Sequence, residues 1–212
     1  MAFECFIDDN MVTRIVEYTN IYISKVRANF QRDRDARPTD AREIKALIGI
    51  LYLAGALKAG RRNVTDMWDN TTGTGVEAIY LTMSLNRFLL RFLRFDNIHS
   101  RDVRQSVDKL AAFREIFDKF VSNCKSSYKP TDYLTNDEQL VGYRGNCQFR
   151  VYMPSKPAKY GIKIFALVST TNFFATNLEI YVGTQPAGPF HRSNNTQELV
   201  MQLVEPIAGS NR

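Results

Sequence analysis

The chain has 212 residues, with 28 lysines and arginines against 22 acidic residues and a net charge of +6. Such a length supports one large or two small domains, and 44% hydrophobic with 24% charged residues excludes a chain disordered by composition; the modest basic excess permits a nucleic-acid partner without demanding one. The longest apolar run, Ala46 to Leu57, contains Gly49 and Gly55 and falls short of the roughly 20 residues a membrane-spanning helix needs.

The first residues, Met1-Ala2-Phe3-Glu4-Cys5, carry no basic n-region and no signal-like apolar core. Asp8, Asp9 and Asn10 are helix-capping types, and Val12, Ile15, Val16, Thr19, Ile23 and Val26 follow at helical spacing. Gln31 to Arg37 is highly charged and reads as a loop. Pro38-Thr39-Asp40 opens a second helix, where Asp40 and Glu43 have the spacing of a capping box and Ile44, Leu47, Ile48 and Leu51 form the expected buried stripe. Gly60 to Gly75 is irregular. A third helix is expected after Ser84, carrying Leu85, Phe88, Leu89 and Phe92, and a fourth from about Val107 to Cys124 with the stripe Leu110, Phe113, Phe117, Phe120 and Cys124. From Asp132 the period changes. Strands are expected at Leu134–Val141, Gln148–Met153, Ile162–Val168 and Leu178–Val182, separated by turn signals at Gly142, Gly145, Pro154, Pro157 and Thr170–Asn172. A last helix begins near Asn194-Asn195. The fold class is therefore α+β or α/β, a helical half followed by strands and a helix.

Three groups of residues could carry chemistry. Arg87, Arg91 and Arg94 lie on one face of the third predicted helix; the spacing fits a phosphate-tracking face and, more simply, the solvated side of an amphipathic helix. Arg144, Arg150, Lys156, Lys159 and Lys163 fall in a stretch with no acidic residue between Glu138 and Glu179, interleaved with Tyr143, Tyr152 and Tyr160, and make the better nucleic-acid candidate. Asp132, Asp137 and Glu138 open the strand region, where a carboxylate at a strand end is a common Mg2+ ligand, yet two-metal chemistry needs several converging acids and no aspartate follows Asp137. Cys5, Cys124 and Cys147 are widely spaced, form no CxxC pair and suit a reducing compartment; Cys147 reads as structural. His99 and His191 are too far apart for a histidine-rich zinc site. No phosphate-binding loop, dinucleotide fingerprint, nucleophile elbow or HExxH motif is present.

The segment Thr135-Asn-Asp-Glu-Gln-Leu-Val-Gly-Tyr-Arg-Gly145, then Phe149-Arg150, then Pro154-Ser-Lys-Pro-Ala-Lys-Tyr-Gly-Ile-Lys163, resembles the piggyBac transposase family. Asn177-Leu-Glu-Ile-Tyr-Val-Gly-Thr-Gln-Pro186, Leu203-Val-Glu-Pro-Ile-Ala-Gly-Ser210 and several upstream segments extend the resemblance over essentially the whole chain. It implies a helical dimerisation and DNA-binding region over residues 1–131 and the first part of an RNase H-like mixed sheet of the DDE/D type over 132–212, incomplete at the C-terminal side. It further implies cutting and joining of double-stranded DNA at TTAA sites, two Mg2+ ions held by carboxylates with Asp137 as the first, and Lys156, Lys159 and Lys163 near the DNA backbone. A homodimer, a nuclear location and no small-molecule substrate follow from the same resemblance. Asn136 and Asn146 depart from the family pattern, and its later catalytic aspartates do not occur before Arg212. The expectation is a transposable element-derived protein with one sheet edge left bare, catalytically inactive as this chain alone; the alternative is a non-catalytic DNA-binding or dimerising module.

Overall fold

The computed structural model describes residues 2–89, 92–130, 133–191 and 195–208. In chain order these form helices α1 (Ala2–Phe6), α2 (Asp9–Val26), α3 (Ala41–Ala56), α4 (Glu77–Thr82), α5 (Leu85–Leu89), α6 (Arg101–Gln105) and α7 (Arg114–Ser127), strands β1 (Leu134–Gly142), β2 (Val151–Tyr152), β3 (Tyr160–Ser169) and β4 (Ala175–Ile180), and helix α8 (Thr196–Val204). Two compact units result, Asp9–Ile98 and Met1–Asp8 with His99–Arg212. This grouping differs from a division at residue 131, because α7 packs against the sheet.

In the helical unit, α2 buries Val12, Ile15, Thr19 and Ile23 as their spacing predicts, together with Met11 and Tyr18. Helix α3 starts where the Asp40 carboxylate accepts the Glu43 backbone N–H at 2.8 Å, so the cap forms as expected. Its inward face is rotated from the predicted one. Ile44 and Ile50 are buried, whereas Leu51 is 50% exposed. Ile50 anchors a cluster with Ala59, Met67, Ile79 and Met83, and that cluster draws the 44–47–50 edge inward. Trp68 packs on Phe88 and donates its indole N–H to the Met83 carbonyl at 2.6 Å. Phe92 lies beyond α5 and is buried with Ile23 and Ala36.

In the sheet unit, β3 is central. Its Gly161 pairs with Gly142 of β1 and also with Val151 of β2, so β1 holds one edge of β3 and β2 the other. Strand β4 runs beside β3 from Ile164↔Ile180 to Val168↔Ala175, on the edge away from β1. All three pairings are antiparallel, so the parallel part of the expected mixed sheet is not formed among the described residues. Among them, β1 pairs with β3 alone and its outer edge stays bare. A side chain at 161 would collide with the Val141 carbonyl, which is why this close crossing needs glycine.

Side-chain alternation assigns the two faces. Leu178 and Ile180 pack with Phe117 and Val121 of α7, while Asn177 points the other way and donates to the Leu203 carbonyl of α8 at 2.9 Å. Strand β4 begins earlier than the predicted Leu178–Val182, because Thr176 and Asn177 are buried polar residues whose hydrogen bonds to the Leu167 and Leu203 carbonyls let them sit in a strand. The predicted strand Gln148–Met153 shrinks to Val151–Tyr152. The predicted helix over 107–124 is also divided. Helix α7 starts only at Arg114, and Leu110 is buried in the preceding turn. The cause is Asp108, 2% exposed, whose carboxylate accepts the Leu110 backbone N–H and fixes a turn in place of a helical rise. Asn195 caps α8 by accepting from the Gln197 N–H at 2.9 Å.

Candidate functional site

Asp137 and Glu138 are neighbours on β1 and therefore face opposite sides of the sheet. Asp137 pairs with Ala166, which in turn pairs with Leu178, so its side chain lies on the α7 face. It is exposed, and its Oδ1 accepts the Glu138 backbone N–H at 2.7 Å. Glu138 lies opposite Phe165 on the other face and is held by lysines. Lys163 pairs with its carboxylate, and Lys156 Nζ donates to its backbone carbonyl at 3.1 Å. Two acids adjacent in sequence are thus separated in space. Among the described residues no three His, Cys, Asp or Glu side chains converge where they could hold a metal ion, so these residues alone do not fit a two-ion site. Asp132 lies outside the described residues.

The basic stretch is divided in a way that charge counting cannot anticipate. Lys163 sits 4.5 Å from the Phe165 ring centre and 5.7 Å from that of Tyr181, bracing β1 through Glu138. Arg150 is exposed and closes the loop after β1 through one nitrogen, Nη1, which donates to the carbonyls of Arg144 and Gly145 at 3.1 and 3.0 Å; its guanidinium lies 5.8 Å from the Tyr160 ring centre. Arg144 and Lys159 are exposed. Beside them Tyr152 and Tyr160 form a cross-strand pair with ring centres 4.7 Å apart, both half exposed. Of the predicted set, Arg144, Arg150 and Lys159 with this tyrosine pair make the exposed basic surface, while Lys156 and Lys163 are engaged with Glu138.

The arginines of the helical unit correct both sequence readings. Arg87 neither tracks phosphate on an open face nor points to solvent. It is 11% exposed and grips Glu43 with two bonds of 2.8 Å, from Nε and Nη2. Its Nη1 is buried with no hydrogen-bond partner. Arg94 lies past α5 and stacks on Tyr22 with 3.5 Å between guanidinium carbon and ring centre. Arg91 lies outside the described residues. Burial pushes the Glu43 carboxyl up, but hydrogen bonds from Arg87 and Thr39 and the charges of Arg87 and Arg37 outweigh it and hold the pKa down at about 2. No sequence signal announces this pair, whose partners stand 44 residues apart.

A sequence model of the family described as Transposase IS4 matches residues 1–212. The human PiggyBac transposable element-derived protein 3 is 24% identical over 206 residues, which is 96% of this chain and 32% of that protein. The human PiggyBac transposable element-derived protein 2 is 23% identical over 163 residues, covering 77% of this chain and 26% of its own length. The chain thus spans about a third of the first relative and a quarter of the second. Among solved structures, a cryo-EM structure of the piggyBac transposase synaptic complex with hairpin DNA superposes with a TM-score of 0.83 at 32% identity, over 97% of this chain and 42% of that one. The match of fold and sequence over nearly the whole length bears out the resemblance carried by the Asp137-Glu138-Gln139 and Ser155–Lys163 motifs, and the chain belongs to the piggyBac-type Transposase IS4 family.

Proposed function

We propose that this chain binds double-stranded DNA as the helical and leading sheet portion of a transposase-type protein. The observation that carries the reading is the 32% identity and 0.83 TM-score, over 97% of the chain, to a transposase whose structure holds hairpin DNA. In this reading the antiparallel strands β1, β3 and β4 are the first three of an RNase H-like sheet, and Asp137 is the first carboxylate of a DDE/D set for two Mg2+ ions. Cleavage and joining at TTAA sites, a homodimer and a nuclear location belong to the same proposal. Asp137 is exposed on β1 and Glu138 is engaged by Lys163, so DNA binding is the part of this reading to test on the 212-residue chain alongside its activity.

Two measurements test it. The 212-residue chain, incubated with Mg2+ and a supercoiled TTAA-containing plasmid, is expected to yield no nicked product; nicking that disappears in Asp137→Ala would overturn the non-catalytic reading. Binding of a short duplex, followed by fluorescence anisotropy, is expected to weaken linearly on a log–log salt plot. Arg144→Gln with Lys159→Gln should lower that slope by about 2, since each phosphate contact contributes about 0.9. These two side chains are exposed, so the melting temperature should hold. An unchanged slope would remove this surface from the DNA interface.

A further inference from the structure

The charged segment Gln31 to Arg37 is not a loose loop. Ala36 is fully buried against Ile23 and Phe92, Arg27 pairs with Asp33 at 2.9 Å, and Asn20 clamps Thr39 through both its backbone N–H and its carbonyl. The segment forms a short 3-10 turn over Asp33–Ala36. Pinned in this way, it presents Arg32, Arg34 and Arg37 along a groove of about 400 Å3 that Ser84, Asn86 and Arg87 complete. The three arginine side chains are 62%, 73% and 63% exposed. Their carboxylate partners are few. Arg32 and Arg34 share Asp35, at 2.9 and 3.9 Å, and Arg37 reaches Glu43 at 3.3 Å through one nitrogen. Each guanidinium has five N–H donors, so most of these face water. Three exposed guanidiniums thus share Asp35 and one oxygen of Glu43, while Arg87 beside them is committed to Glu43.

We infer that the groove flanked by Arg32, Arg34 and Arg37 is a binding site for a phosphate oxyanion, of a DNA backbone or of a free phosphate compound. Phosphate suits it because the guanidinium fork matches two phosphate oxygens at once, whereas chloride offers one point of contact. Ser84 and Asn86 add neutral donors at the rim. The groove belongs to the helical unit and shares no residue with the Arg144–Lys159 surface. It rests on the DNA-binding reading only for the source of the phosphate.

The test uses the full chain and its Arg32→Gln/Arg34→Gln/Arg37→Gln variant, with Arg34→Gln alone as a milder second variant should the triple one melt early. In the first arm, inorganic phosphate is compared with chloride at matched ionic strength. Phosphate should raise the melting temperature of the parent chain and lose that effect in the variants; no phosphate-specific rise, or an equal rise in parent and variants, overturns the site. In the second arm, salt-dependent duplex binding distinguishes the source. A log–log slope reduced by about 3 in the triple variant identifies the DNA backbone, at about 0.9 per contact. With the first arm positive, an unchanged slope identifies a free phosphate compound. If the duplex fails to bind at all, the DNA reading falls while the phosphate arm still decides the groove.

Discussion

Replacing Asp108 with alanine is expected to destabilise the sheet unit by about 3–5 kcal/mol, the range for breaking one side of a buried ion pair. The carboxylate is 2% exposed and accepts four hydrogen bonds: two from Arg114 at 2.8 and 3.0 Å, one from Gln185 at 2.7 Å and one from the Leu110 N–H at 3.0 Å. Gln185 also accepts the Lys109 N–H at 2.9 Å, so the residue ties the turn before α7 to the segment after β4. Alanine would leave the Arg114 guanidinium, 15% exposed, without its bidentate partner, with Asp118 at 3.6 Å, the Phe190 ring and the charge of Glu179 still near it. A typical domain holds about 5–15 kcal/mol in all, so the loss should appear as a large drop in the urea midpoint. Burial pushes the Asp108 carboxyl up, but the bonds from Arg114, Leu110 and Gln185 hold it below its ordinary 3.8. The folded pKa is the lower one. Its contribution is therefore fully present above the unfolded value near 3.8 and is lost as pH falls through the folded value. Asp108→Asn should flatten the acid limb of the stability curve below pH 3.8, and an unchanged acid limb would refute the assignment.

Arg87→Met is expected to cost the helical unit about 3 kcal/mol, because it leaves Glu43 charged in a site that is 17% exposed. Arg87→Lys should recover little, since a lysine supplies one point charge where both carboxylate oxygens are now gripped. The informative variant is Arg87→Met with Glu43→Leu. Removing both charges should cost less than Arg87→Met alone, and full additivity in the double-mutant cycle would show that the two side chains do not act as a pair. The pH dependence again runs through a depressed carboxylate. Glu43 contributes above its unfolded value of 4.5 and loses that contribution as pH drops toward its folded value of about 2.

Local rules read well where local interactions decide. The α2 stripe, the Asp40 and Asn195 caps, the turn at Thr170–Asn172 and the strands around Asp137 and Ile164 all follow from spacing or from the chemistry of one side chain. Several of the failures turn on a polar side chain whose partners its own neighbourhood in sequence does not announce. Thr176 and Asn177 look like loop residues until their carbonyl partners on β3 and α8 are known. Asp108 looks like an ordinary helix residue until Arg114 and Gln185 converge on it. Arg87 looks solvated until Glu43 is placed against it. The site was legible to the same extent. Asp137 and the basic cluster stood out as residue types, but that Lys156 and Lys163 are committed to Glu138 depends on the β1–β3 register, which no composition encodes.

That register acts as a reading frame. Because Asp137 and Glu138 are adjacent, sliding β1 by a single residue against β3 would exchange them, turning glutamate toward the α7 face and aspartate toward the lysines. The frame is punctuated at two points, the diagonal Lys163–Glu138 pair and the crossing of Gly142 with Gly161, where no bulkier residue fits at 161. Length changes in the loop between β1 and β2 leave the frame intact, whereas one residue inserted between Glu138 and Gly142 rewrites which acid the surface displays. A lineage can therefore vary the loop freely and keep its exposed aspartate, yet lose it in one step through a change that alters no side chain near it.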